Sequence, residues 1–174
     1  MKSRINAALA ASAAALVAVG VALAAADRPA YGEPVARLSA ADAREHADAI
    51  FACADQNRSE TLDADEYAAL AVVLAELSRL NGFVVLRSEI EDRIVPLPFQ
   101  TPELTRSERT RIEAVARRDF YAAAGGDSQL SQAEYAEEQA DRFADADRNR
   151  NGVLAAGELV AFAAHTASLD RSDA

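Results

Sequence analysis

Twelve residues near the C-terminal end constrain this chain more than any other feature: Asp147-Arg148-Asn149-Arg150-Asn151-Gly152-Val153-Leu154-Ala155-Ala156-Gly157-Glu158. Oxygen-bearing side chains stand at alternate positions, a glycine follows, and a carboxylate closes the segment. This is the spacing with which a tight loop surrounds a hard cation. At ordinary residue frequencies, five such constraints recur by chance on the order of once per thousand chains of this size. The loop type is flanked by helices, so the motif predicts local fold as well as chemistry. Phe143, ahead of Asp147, fits the apolar face of the incoming helix.

The segment resembles the metal loop of the EF-hand family. The resemblance implies oxygen ligands from Asp147, Asn149 and Asn151 at loop positions 1, 3 and 5, and from the backbone carbonyl of Val153 at position 7. Both oxygens of Glu158 at position 12 would complete the set, with Ca2+ as the ion. Ala155 at position 9 leaves that vertex to water. Gly152 supplies a positive φ without steric cost, and Leu154 at position 8 can pack against a partner loop across a short β-bridge. The fold implied is all-α: paired EF-hand helix-loop-helix units with two-stranded bridges between loops, in two lobes.

Aligning the apolar residue at position 8 and the acid at position 12 brings out three further candidates. Asp55 to Glu66 offers Asp55, Asn57, Ser59, the Thr61 carbonyl, Asp63 and Glu66 as ligands, with Leu62 at position 8 and Phe51 upstream. Glu60 stands where glycine is expected, and a side chain in the left-handed region costs about 1–2 kcal/mol. Three carboxylates could offset that strain, because affinity follows ligand charge. Ala123 to Glu134 keeps Leu130, Ser131 and Glu134, but Asp127 is its only early carboxylate, and Phe120 falls one residue late, as in a loop shortened by one. Ser78 to Glu89 keeps Val85 and Glu89 but has Leu80 and Gly82 where oxygens are needed; it is not expected to bind metal and reads equally as an ordinary helix-turn-helix.

Loop starts at 55, 78, 123 and 147 form two close pairs, so that one helix leaves the first loop of a pair and enters the second. This resembles compact bacterial EF-hand proteins, over residues 39 to 169. Leu62 is then expected to face Val85, and Leu130 to face Leu154. Ser39 with Asp42, Asp63 with Glu66, Thr105 with Glu108, and Ser131 with Glu134 match helix-starting boxes, in which a polar residue accepts from free backbone N–H groups. Glu66 and Glu134 are therefore explicable as capping acids without any metal. Tyr67, Leu70, Leu74 and Leu77 recur at helical spacing and are expected in the core.

Between the pairs, Val95-Pro96-Leu97-Pro98-Phe99-Gln100-Thr101-Pro102 forbids a continuous helix and favours an extended connector. The organisation expected is a signal peptide over 1–26, a flexible lead over 27–38, an N-terminal lobe over 39–95, a proline-rich connector over 96–102 and a C-terminal lobe over 103–170.

Lys2 and Arg4 precede an uncharged, alanine-rich apolar run to Ala26, with Ala24-Ala25-Ala26 as small residues before Asp27. This reads as a cleavable secretory signal, or, if uncleaved, as a signal anchor, and predicts a periplasmic or secreted protein. The formal charge of −10 argues against nucleic acid or anionic lipid as a partner and suits cations. Lys2 is the only lysine, which with the alanine content suggests a GC-rich bacterial source. Cys53 alone forms no internal disulfide and is expected to be buried as a small apolar residue; His46 and His165 read as ordinary helix residues. No catalytic constellation or phosphate loop is recognisable, so no enzyme activity is expected.

Three functions fit these residues. The first is an exported calcium-binding protein with one ion per lobe, acting as a binding module or a weak sensor or buffer. The second is a lanthanide binder, because the lanmodulin family is also periplasmic with close-set hands, although Gln56 and Arg148 stand where its loops carry proline. The third is a module whose lobes bind an unidentified exported protein, with purely structural metal.

Overall fold

The computed structural model describes residues 32–88, 92–97 and 103–168. Four helices begin at the boxes read from the sequence: α1 (Ala40–Ala54), α2 (Ala64–Asn81), α3 (Arg106–Ala123) and α4 (Gln132–Ala146). At each, the N-cap side chain (Ser39, Asp63, Thr105 or Ser131) accepts from the third helical N–H, and the acid there accepts from the cap's own N–H. A fifth helix, α5 (Ala156–Thr166), follows Ala155, which makes no side-chain cap. The chain is thus mainly helical, as expected. Among the described residues no helix is long and apolar enough to cross a membrane. The signal-peptide reading falls on residues outside those described.

Short strands tie the helices together: β1 (Glu33–Pro34), β2 (Arg37–Ser39), β3 (Thr61–Leu62), β4 (Phe83–Leu86), β5 (Arg93–Pro96), β6 (Leu130–Ser131) and β7 (Val153–Ala155). Two antiparallel bridges form, with partners that differ from those expected. Leu62 lies opposite Leu130, not Val85, and Leu154 lies opposite Leu38, not Leu130.

The reason is local. Gly82 ends α2 in the left-handed conformation at φ 72°, and the β-branched run that follows prefers a pleated surface to a helix. β4 therefore pairs antiparallel with β5, setting Val85 opposite Ile94, and β1 adds to β5 in parallel. The segment from Ser78 is a helix end and a hairpin strand rather than a metal loop or a helix-turn-helix; its Glu89 lies outside the described residues. Residues 33–39, read as a lead and a cap, supply two strands. Val95, the last residue of the expected N-terminal lobe, and Pro96 of the expected connector end β5, and Leu97 is buried; residues 98–102 lie outside those described.

Side-chain burial follows these pairings rather than the order of the chain. One apolar cluster gathers Ile50 and Phe51 of α1, Leu62, Tyr67 and Val72 of α2, Ile112 and Phe120 of α3, Leu130 and Tyr135. α2 and α3 run antiparallel, with Arg79 Nη2 2.9 Å from Glu108 Oε1 at one end and Arg117 Nη1 2.6 Å from Asp65 Oδ1 at the other. The second cluster joins Leu38, Val84, Leu86 and Val95 to Phe143, Leu154, Leu159 and Phe162. Each cluster therefore draws on residues from both sides of the proline-rich segment. Leu77, expected inside, is exposed, as is Cys53, whose sulfur lies 3.0 Å from Arg87 Nη1.

Candidate metal centre

The two best-matched loops leave helices in the same way. The N–H of Asp55 donates to the Phe51 carbonyl at 3.0 Å, and that of Asp147 to the Phe143 carbonyl at 2.9 Å, so each first ligand position is also a helix C-cap. Each carboxylate then turns across its loop. Asp55 Oδ1 and Oδ2 accept from Ser59 N at 2.9 Å and Glu60 N at 3.0 Å; Asp147 Oδ1 and Oδ2 accept from Asn151 N at 3.1 Å and Gly152 N at 2.8 Å. Two oxygens on consecutive N–H groups force the backbone to curl around the carboxylate.

The curl requires left-handed residues, and they fall at matching places: Arg58 and Glu60 at φ 58° and 66°, Arg150 and Gly152 at φ 58° and 76°. Glu60 thus adopts the strained backbone that the missing glycine implied.

The closing glutamates differ. Glu158 Oε1 accepts from the Asn149 side-chain amide at 2.9 Å, which draws the third and twelfth positions of that loop together. Asn151 Oδ1 accepts from Val153 N at 2.8 Å. Glu66 also reaches back, accepting from Gln56 N at 3.2 Å and Asn57 N at 3.3 Å through Oε1, but its Oε2 accepts from Asp63 N at 3.2 Å as the capping acid of α2. Asp63 Oδ1 in turn caps Asp65 N and Glu66 N, both at 2.8 Å, and Ser59 Oγ donates to the Thr61 carbonyl at 2.8 Å.

Among the described residues no group of three or more His, Cys, Asp or Glu side chains is placed to hold a metal ion. For the first loop this means that Asp55, Asp63 and Glu66 do not converge, since two of them are taken up by the helix start. The second loop has two carboxylates, Asp147 and Glu158, and its remaining oxygens come from Asn149, Asn151 and the Val153 carbonyl. An all-oxygen set of that kind suits a hard cation, and with Glu158 folded back beside Asn149 the residues fit one.

The third candidate is reduced to its frame. Ala124, not Ala123, caps its helix, donating to the Phe120 carbonyl at 2.8 Å, so the loop is one residue short, as the place of Phe120 indicated. Ala124 brings no carboxylate. Glu134 acts as a capping acid, held below the usual carboxylate range by the Ser131 hydroxyl and then the Ser131 N–H.

Sequence reasoning missed β2 as a partner of the second loop. The one local signal was Leu38, an apolar residue directly before the cap Ser39, where such residues set the angle at which the chain enters a helix. Comparison with protein-family models, with curated proteins and with solved structures finds no match to this chain.

Proposed function

We propose that this chain is an exported calcium-binding protein of the EF-hand type, holding its ion in the Asp147–Glu158 loop. One observation carries the reading: the Asn149 amide and the Glu158 carboxylate meet at 2.9 Å, so side chains from opposite ends of an all-oxygen loop already face each other. Asp147, Asn149, Asn151, the Val153 carbonyl and Glu158 would supply the ligands. Export is argued from residues 1–26 alone.

The Asp55–Glu66 loop is a second and weaker position. Asp55, Asn57, Ser59, Thr61, Asp63 and Glu66 give it more charge, but Asp63 and Glu66 are both oriented by the backbone N–H groups at the start of α2. With two carboxylates, the Asp147–Glu158 loop should bind in the range of roughly 10⁻⁴–10⁻³ M typical of extracellular modules. Calorimetric titration of the full chain with calcium is expected to give heat in that range, lost in Glu158→Gln. No heat at millimolar calcium, or an isotherm unchanged by Glu158→Gln, overturns the proposal.

A further inference from the structure

In the first loop, the bridge strand β3 is completed by β6 of another helix-loop-helix. In the second loop, the corresponding strand β7 is completed by β2, a segment that belongs to no loop. We infer that Arg37–Ser39 is a positioning element for the Asp147–Glu158 site, so that ion affinity there depends on the docking of this N-terminal strand. The inference rests on the calcium reading above.

The register makes the dependence specific. Ser39 pairs with Val153, whose carbonyl is the backbone ligand, Leu38 with Leu154, and Arg37 with Ala155. Leu38 and Leu154 are both fully buried, at 0% exposure, so the two strands are clamped through side chains as well as backbone. Ser39 is itself fixed from the other side. Its hydroxyl caps α1 by accepting from Asp42 N at 3.2 Å, and Asp42 is held by Arg93 Nη2 of β5 at 2.8 Å.

The need for an external clamp follows from what comes next in the loop. Ala156 opens α5 at φ 47°, a left-handed value that disfavours a side chain, and Ala155 offers no cap to stabilise the helix start. The equivalent exit of the first loop is capped by Asp63. The β7–α5 corner is therefore strained and uncapped, and its pairing with Arg37–Ser39 holds both the Val153 carbonyl and the approach of Glu158.

The test compares two equally buried bridge leucines in the full chain by calcium calorimetry. Leu38→Ala is expected to weaken binding about tenfold or more, whereas Leu130→Ala, in the other bridge, leaves it within about threefold. Linkage also requires the reverse effect: calcium should slow amide exchange at Arg37–Ser39 more than at Thr61–Leu62. Equal effects of the two variants, or exchange at Arg37–Ser39 unmoved by calcium in a chain that binds it, overturn the inference and leave the calcium reading standing. If the unmodified chain gives no calcium heat, both fall.

Discussion

The two loops share a backbone course but divide their acids differently. The Asp55 loop has three carboxylates at ligand positions and a well-capped exit helix; the Asp147 loop has two and an uncapped one. The loop richer in charge is the poorer metal candidate, because Glu66 and Asp63 accept from the backbone N–H groups that start α2. A carboxylate oriented by a helix terminus must turn to bring both of its oxygens onto an ion in the loop. In the second loop the helix start takes nothing from Glu158's bond to Asn149, and Asp147, only 7% exposed, is enclosed by its own loop. Counting acids at ligand positions therefore ranks the loops in the opposite order to their geometry.

The most disruptive way to probe this contrast is at the bridges. Leu62 and Leu154 are each 0% exposed, one in each apolar cluster. Truncation of either to alanine is expected to cost about 2–5 kcal/mol in urea unfolding with chelator present. If one costs much less than the other, the two bridges are not the equivalent supports their burial implies.

Acid should act on the second cluster's side. His46 of α1 is buried and accepts from Arg87 N at 3.0 Å through Nδ1, at the end of β4. Burial, and then the nearby Arg87 charge, push its pKa down to about 4 from 6.5. The unfolded chain therefore takes up this proton first as pH falls, so stability should decline between pH 6.5 and about 4 and level off below it. The loss attributable to this group is on the order of 3 kcal/mol. Urea midpoints across that window should flatten in His46→Gln; an unchanged pH slope removes His46 from the account.

Smaller effects separate the acids. Without calcium, Glu66→Ala should cost about 1 kcal/mol as a lost capping acid, while Glu158→Ala should stay within about 0.5 kcal/mol. Similar costs would mean that Glu158 also serves as a helix cap, erasing the distinction between the loops. The smallest pair concerns the shared left-handed position. Glu60→Gly should stabilise, and Gly152→Ala destabilise, each by about 1 kcal/mol. Beyond Gly152 and its two chain neighbours, no heavy atom stands within 4 Å of where a Cβ would lie, so the cost should come from backbone strain alone.

What was legible in the sequence was local. The four capping boxes mark helix starts because each is complete within a few residues, and the late Phe120 betrays the shortened loop through a single helix-end hydrogen bond. Bridge partners were not legible. Leu62, Val85, Leu130 and Leu154 are interchangeable as apolar residues, and nothing in a position-8 leucine specifies which strand it will meet. The hairpin was readable in part: Gly82 before Phe83-Val84-Val85, and Ile94-Val95 beyond, carry a helix stop and β-branched runs. Val85 and Glu89 at loop spacing concealed it. The part played by Arg37–Ser39 depends on contacts with residues more than a hundred positions away, which no local pattern encodes.

α1 and α4 each reach both apolar clusters: α1 through Ala43 on one side and Ile50 on the other, α4 through Phe143 and Tyr135. Two rods running through both compartments leave little room for one to melt alone. Losing either cluster strips buried contacts from helices that also frame the other. Denaturation should accordingly be a single cooperative event, with circular dichroism and tyrosine fluorescence changing together. A molecule with two cores would then behave thermodynamically as though it had one.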